Sequence, residues 1–212
     1  MIQFRLFGIP VTILPIFWLT LGLIGLMGNG VSNSSQLLGL ALFVLAGFLS
    51  ILVHEFGHAL TIRFYKLPTE IVLQGFGGYA SHPAGVLTRL QSFLVTAAGP
   101  AIQIALGVVA FAVLIFAPLP DTPIKEFVWD VGIVSIFWAL LNCLPIFPLD
   151  GGRMLQSILG PRRIKGVFIT GMVTAGALAI LGLVSSQIFL AIFMGLFAFE
   201  NYKYLQQAQK QF

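Results

Sequence analysis

Residues 37–65 read LLGLALFVLAGFLSILVHEFGHALTIRFY, and this stretch decides how the rest of the chain is interpreted. It is almost wholly apolar and exceeds the roughly 20 residues that an α-helix needs to cross a bilayer. Its second half nevertheless carries His54, Glu55, His58 and Arg63. The stretch therefore predicts a transmembrane helix that tilts or extends past the lipid and carries ionisable side chains, which are costly inside a membrane and mark functional sites there.

The composition of the whole chain agrees with a membrane protein. Of its 212 residues 58% are hydrophobic and only 8% are charged, whereas a soluble domain carries about 25% charged residues. The length predicts a single domain over residues 1–212. The net charge of +4 does not indicate a nucleic-acid partner, because the basic residues lie between apolar segments and orient the chain in the lipid bilayer.

The apolar runs predict an all-α membrane protein with about six transmembrane helices. The predicted spans are Val11–Met27, Leu37–Tyr65, Leu90–Ala117, Phe127–Leu144, Val167–Val184 and Ile188–Tyr204. The last two are separated only by Ser185-Ser186-Gln187, so five spans and one re-entrant segment are the alternative. After the second span, β-branched residues followed by Gly75–Ala80 predict a short membrane-associated β-hairpin.

The distribution of basic residues predicts the orientation. With a cytoplasmic N-terminus, every lysine and arginine except Lys125 lies on the cytoplasmic side, as the positive-inside rule favours. We therefore expect an integral multi-pass protein with both termini and the mouth of its site facing the cytoplasm. In a bacterium the membrane would be the plasma or inner membrane.

The two histidines of the second span are four residues apart, so they share one face of a helix. With Glu55 they form the H-E-x-x-H arrangement of zinc hydrolases, in which two imidazoles bind Zn²⁺ and the glutamate is the general base. The alternative is a pair of histidines that only hydrogen-bond neighbouring helices, which is less favoured within lipid.

A catalytic zinc site usually has three protein ligands and a water molecule. One candidate for the third is His82, the remaining histidine, in the polar hairpin region. Asp150 is the favoured candidate, because Pro145 and Pro148 end the fourth span just before it, at the cytoplasmic depth predicted for His58. Asp-Gly-Gly after two prolines is also typical of an ordinary interfacial turn.

These motifs together resemble the site-2 protease family of intramembrane zinc metalloproteases. The resemblance rests on His54-Glu55-x-x-His58, on Asn142-x-x-Pro145-x-x-x-Leu149-Asp150-Gly151 and on Ala98-Gly99-Pro100. It implies that His54, His58 and Asp150 bind zinc, that Glu55 activates water, and that Asn142 holds the substrate or stabilises the reacting carbonyl.

The same resemblance implies a substrate, namely the single transmembrane helix of a membrane-tethered protein. Many members carry a PDZ domain and some a CBS domain, but residues 118–126 and the tail after Tyr204 are too short for either. The chain is thus expected to be a minimal catalytic core, regulated by a membrane partner or by homo-oligomerisation. Gln103 stands where the family often has asparagine, and no role is assigned to it.

Two further expectations concern how the site is used. Gly77 and Gly78 in the predicted hairpin would offer a strand edge to an extended substrate, as in β-augmentation, or the hairpin would only plug the cytoplasmic mouth. Besides a protease, the polar site is compatible with a divalent-metal carrier, although a carrier needs polar residues along a path to both faces. An inactive relative that binds helices without cutting them is a third hypothesis, against which the intact Glu55 argues.

Overall fold

The computed structural model describes residues 1–28 and 33–210, which are mostly α-helical. The elements follow in chain order: β1 (Ile2–Leu6), β2 (Ile9–Ile13), α1 (Pro15–Gly28), α2 (Ser34–Phe64), β3 (Glu70–Gln74), β4 (Gly77–Ser81), α3 (Arg89–Phe116), α4 (Pro123–Asn142), α5 (Asp150–Leu159), a 3-10 turn (Pro161–Arg163), α6 (Ile164–Val184) and α7 (Ile188–Lys210).

Contacts divide the chain into two compact units. The N-terminal unit comprises Met1–Val86 and Ala98–Ala139, and the C-terminal unit comprises Leu87–Ala97 and Leu140–Phe212. The N-terminal unit therefore holds the sheet, α1, α2 and most of α3 and α4, whereas the C-terminal unit holds α5, α6 and α7. The expectation of a single domain over residues 1–212 stays a prediction.

The fold class is not all-α, since a four-stranded sheet in the order β1-β2-β3-β4 accompanies the helices. The predicted hairpin after the second span is confirmed as β3 and β4, which pair antiparallel from Glu70↔Ser81 to Gln74↔Gly77. An unpredicted hairpin, β1–β2, joins it through parallel pairing of β2 with β3. Phe7 and Gly8 form its two-residue loop with φ values of 51° and 74°, the geometry that a tight hairpin turn requires.

The sheet is anchored because one face of β2 and β3 is apolar. Ile9, Val11 and Ile13 alternate with less buried residues along β2, and Ile71 and Leu73 do so along β3, which is the period of a half-buried strand. These side chains form a core with apolar residues of α1 and α2: Phe17, Leu21, Ile51, Leu52, Phe56 and Ala59. This core fixes the sheet against the part of α2 that carries the H-E-x-x-H motif.

Four of the described helices are long and apolar enough to cross a membrane: α2, α3, α6 with the preceding 3-10 turn, and α7. α1 has only 14 residues because the start of the first predicted span belongs to β2. α4 has 20 residues and carries Lys125, Glu126 and Asp130 in its first half. The chain is an integral membrane protein, while the number of six spans stays a prediction.

The C-terminal unit is built on the pair α6 and α7. Their predicted separation at Ser185-Ser186-Gln187 is confirmed, since α6 ends at Val184 and α7 begins at Ile188. Ala175 of α6, Met194 of α7 and Ile146 of the loop before α5 form the buried centre of this unit. The loop that leads to Asp150 is therefore held by apolar packing within its own unit.

Candidate metal centre

The two motif histidines lie side by side on the buried face of α2. His54 and His58 are 4% and 8% exposed, and their Nε2 atoms are 3.0 Å apart. The rings meet edge to face, with centroids 4.7 Å apart. The helical spacing of four residues thus brings one nitrogen of each ring to a common point, as the sequence predicts.

His54 is held from its other ring nitrogen. Its Nδ1 lies 2.8 Å from Oε1 of Gln103 on α3, a glutamine that is fully buried. Gln103 in turn donates from Nε2 to Oγ of Ser50, one turn before His54, at 2.8 Å. Ser135 of α4 donates to the same Ser50 hydroxyl at 3.0 Å. A series of buried hydrogen bonds therefore links α2, α3 and α4 of the N-terminal unit to the imidazole of His54.

Gly99 of α3 presents bare backbone to the two imidazoles. A Cβ built on Gly99 would lie 2.3 Å from Nε2 of His58 and 2.9 Å from Nε2 of His54. Gly57, between the histidines, has a separate role: its Cβ would lie 2.5 Å from the carbonyl oxygen of Ala98. The two glycines let α2 and α3 approach closely, and only Gly99 is needed to leave space beside the ring nitrogens.

Glu55 is buried next to strand β4. It is 3% exposed, and a Cβ on Gly78 would lie 2.9 Å from its Cγ. A Cβ on Gly77, by contrast, would meet no heavy atom of the described chain within 4 Å. Of the two hairpin glycines predicted to contact substrate, Gly78 therefore lies against the candidate general base and Gly77 faces open space.

Asp150 belongs to the C-terminal unit, where it opens α5 as a buried residue. A carboxylate in the first turn of a helix is stabilised by the helix dipole. Cβ atoms on Gly151 and Gly152 would lie 2.2 Å from the Cys143 carbonyl oxygen and 2.5 Å from the Phe147 amide nitrogen. The Asp-Gly-Gly sequence thus lets the preceding loop fold tightly over the start of α5, and no unusual φ is needed there.

The remaining predicted residues occupy less enclosed positions. Asn142 is the last residue of α4 and is half-buried. His82 is exposed beyond β4, and its Nδ1 lies 2.9 Å from the carbonyl oxygen of Pro83. An exposed ring at the end of the hairpin is not a candidate for a buried metal centre, so the His82 alternative loses its basis.

The histidine pair fits a transition-metal ion. Zinc–nitrogen bonds are about 2.0–2.1 Å, so two Nε2 atoms 3.0 Å apart can both bind one ion placed between them. Imidazole nitrogens suit zinc, copper, iron and nickel. A hydrogen bond from the second ring nitrogen is the usual support of a metal-binding histidine, and Gln103 offers that acceptor to His54.

Sequence reasoning missed Ser50, Gln103 and Ser135 as part of this site. A signal for two of them exists in the spacing, because Ser50 lies four residues before His54 and Gln103 lies four residues after Gly99. Polar side chains one helical turn from a metal motif share its face. No comparable pattern marks Ser135, whose contact depends on how α4 packs against α2.

Comparison with known proteins gives three concordant results. Residues 117–184 match the model of peptidase family M50. A Synechocystis protein whose name assigns it to the zinc metalloproteases is 33% identical over 217 residues, covering 92% of this chain and 57% of that protein. A zinc metalloprotease of Methanocaldococcus jannaschii is 28% identical over 162 residues, covering 75% of this chain and 45% of that protein.

The chain spans about half the length of these curated relatives. Its fold is similar to that of the site-2 protease from Methanocaldococcus jannaschii, with a TM-score of 0.67 and 23% identity, covering 96% of this chain and 94% of that one. None of the comparisons supports the metal-carrier alternative. The matched region and the zinc metalloprotease relatives make the chain similar to peptidase family M50, the family of the site-2 proteases, and its fold is that of a site-2 protease.

Proposed function

We propose that the chain is an intramembrane zinc metalloprotease that hydrolyses peptide bonds within or near transmembrane helices. The observation that carries the proposal is the buried pair of Nε2 atoms 3.0 Å apart on α2, with Glu55 between the two histidines in sequence. Such a constellation supplies two metal ligands and one proton acceptor away from bulk water. The match to peptidase family M50 and the names of the relatives support the same activity.

His54, His58 and Asp150 are the proposed zinc ligands. The two histidines would bind through Nε2, and the carboxylate of Asp150 would complete a set of three protein ligands. Support for Asp150 comes from its burial at the start of α5 and from the family motif that contains it. A buried carboxylate is costly unless it is paired or binds a metal ion.

Glu55 is proposed as the general base and then the general acid. A zinc ion held by His54, His58 and Asp150 would lower the pKa of water towards about 7 and polarise the substrate carbonyl. Glu55 accepts a proton from the water that attacks the peptide carbonyl and donates it to the leaving amine. Asn142 is proposed to hold the substrate or to donate a hydrogen bond to the developing oxyanion.

The substrate would bind as an extended segment along β4. This strand lies at the edge of the sheet, and no other strand in the described part of the chain pairs with its outer side. Gly78 lies against Glu55, so a segment paired with β4 near Gly77 and Gly78 would pass beside the general base. Edge pairing provides main-chain hydrogen bonds to a segment whose own helix has unwound.

The proposed partners follow from this mode of binding. The substrates are proteins anchored by a transmembrane segment, and a regulatory membrane protein or a second copy of this chain controls access. Both termini and the mouth of the site face the cytoplasm, as the positions of the basic residues favour. In a bacterium the membrane would be the plasma or inner membrane.

The activity is tested with the purified full chain, zinc and tethered transmembrane substrates. Glu55→Gln should abolish cleavage while the zinc content stays at the wild-type level, because amide and carboxylate have similar volumes but only the carboxylate accepts the proton. Glu200→Gln, at an exposed position of α7, is the matched control and should cleave normally. Unchanged cleavage by Glu55→Gln would exclude the proposed role of Glu55.

The ligand set is tested separately by elemental analysis. Asp150→Ala should lower the bound zinc well below one ion per chain, whereas Asp121→Ala, at an exposed carboxylate bonded to Lys125, should leave it unchanged. Stoichiometric zinc in Asp150→Ala would remove Asp150 from the set of ligands.

A further inference from the structure

The buried amide of Gln103 lies between two groups of different hydrogen-bonding character. Its Oε1 is 2.8 Å from His54 Nδ1, and its Nε2 donates to the Ser50 hydroxyl at 2.8 Å and approaches the Ser50 carbonyl oxygen at 3.4 Å. Gln103, Ser50 and Ser135 are all fully buried. In such surroundings each polar atom needs a partner of the right kind.

The contacts with Ser50 set the orientation of the Gln103 amide. The Ser50 carbonyl oxygen only accepts, and the Ser50 hydroxyl has two lone pairs, one for Ser135 and one for Gln103. The NH₂ group of Gln103 therefore faces Ser50, because the reversed amide would place its oxygen against the Ser50 carbonyl oxygen and leave two buried acceptors facing each other. The amide oxygen then faces His54.

The orientation of the amide in turn selects the tautomer of His54. An oxygen facing Nδ1 can only accept, so Nδ1 must carry the proton and Nε2 must carry the lone pair. The lone pair of Nε2 is what a metal ion requires, and Nε2 is the atom that faces His58. The other tautomer would place a proton where the metal ion is to bind.

We propose that Gln103 is a positioning residue that, fixed by Ser50 and Ser135, holds His54 as the Nδ1–H tautomer with Nε2 ready to bind the metal ion. The inference rests on the proposed function only in taking His54 as a zinc ligand. It assigns a role to a residue at which the sequence differs from the asparagine often found in the family.

The tautomer can be read directly in metal-free protein. The chain has only three histidines, so the full chain labelled with ¹⁵N-histidine gives a simple side-chain spectrum, and His82→Gln removes the exposed ring. We expect His54 to appear as Nδ1–H in this protein. A His54 signal of the Nε2–H form would overturn the inference, and this measurement needs no variant at position 103.

Two variants separate the accepting oxygen from mere packing. Gln103→Met has nearly the same length but no acceptor, and should shift His54 towards the Nε2–H form and weaken zinc binding about 10–100-fold in chelator competition. Gln103→Glu keeps an oxygen facing Nδ1 and should retain the Nδ1–H form, although its second oxygen would face the Ser50 carbonyl oxygen and lower the stability of the protein. Equal zinc affinity and the same tautomer in Gln103→Met would refute the role of Gln103.

The two hypotheses fail in different ways. If the proposed function is wrong, the wild-type chain does not cleave tethered transmembrane substrates, or binds no zinc, although His54 is Nδ1–H. If the inference is wrong, the wild-type chain binds zinc but His54 is not fixed as Nδ1–H, or Gln103→Met leaves that form unchanged.

Discussion

Substitution of Gly99 by alanine should remove metal binding through one added methyl group. The built Cβ lies 2.3 Å from His58 Nε2, 2.4 Å from His58 Cε1 and 2.9 Å from His54 Nε2. Carbon and nitrogen atoms that are not bonded normally stay about 3.5–4.0 Å apart. The His58 ring must therefore move by more than about 1 Å, away from the point that both nitrogens now face.

The expected cost to stability is smaller than the expected cost to metal binding. Overpacking costs about 1–3 kcal/mol, and replacing a helical glycine by alanine returns about 0.5–1 kcal/mol. The net loss of stability is therefore at most about 2.5 kcal/mol. Zinc affinity should fall more than about 100-fold, beyond the effect of losing a supporting hydrogen bond, because a ligand atom itself is displaced.

The assay compares zinc content and thermal unfolding of the full chain in detergent. Gly57→Ala is the matched packing control, since its Cβ would lie 2.5 Å from the Ala98 carbonyl oxygen without touching a ring nitrogen. It should lower the unfolding temperature while the folded fraction retains zinc. Gly39→Ala, on the same helix as Gly57 and with no described atom within 4 Å of the added carbon, should retain zinc and raise the unfolding temperature slightly, because alanine is more stable in a helix than glycine. Zinc binding by Gly99→Ala at the Gly39→Ala level would refute the reasoning.

Other positions give independent tests. Gly78→Ala should reduce cleavage with zinc retained, because its Cβ would lie 2.7 Å from Leu73 Cδ2 and 2.9 Å from both Glu55 Cγ and the Val72 carbonyl oxygen, so that β4 or Glu55 must shift. Gly77→Ala meets nothing within 4 Å and should cleave as the wild type does, and equal rates in the two variants would contradict this difference. Asn201→Leu should lower the free energy of unfolding by about 1–3 kcal/mol, measured by denaturation in detergent. The Phe147 carbonyl oxygen would lose the amide that donates to it at 2.6 Å, and an unchanged stability would exclude that bond as a support of the loop before α5.

The histidine geometry was predictable from the sequence because it depends on one helix alone. A spacing of four residues fixes the relative position of His54 and His58 wherever the helix lies. The hairpin after α2 was predictable for a similar reason, since its β-branched strand and glycines are adjacent in sequence. Local rules suffice where the partners are close along the chain.

The first hairpin was missed because two local signals conflict at β2. Its apolar residues run into the apolar helix α1 and extend the apparent span, and Pro10 within the strand argues against a strand assignment. The strand forms because β3, some 60 residues later, supplies its partner. Tertiary pairing of this kind leaves no trace in a window of sequence.

The role of Gln103 could not be predicted because it depends on how two helices are rotated against each other. Its position in α3 identifies a polar side chain on the Gly99 face, but not the atom of α2 that it meets. A glutamine in an apolar span is also compatible with a simple contact between helices. The third metal ligand is a comparable case, and Asp150 stays a proposal from motif and burial.

The parallel pairing of β2 with β3 has a practical consequence for engineering this protein. Because the first hairpin covers one side of β3, β3 is an inner strand and β4 is the outer strand beside Glu55. Deleting the first 13 residues would leave β3 as a second, apolar edge strand, and extended peptides would then pair with it at a distance from the candidate metal centre. A tag joined before β1 is attached at the strand farthest from β4 in the sheet, so affinity handles belong at that terminus.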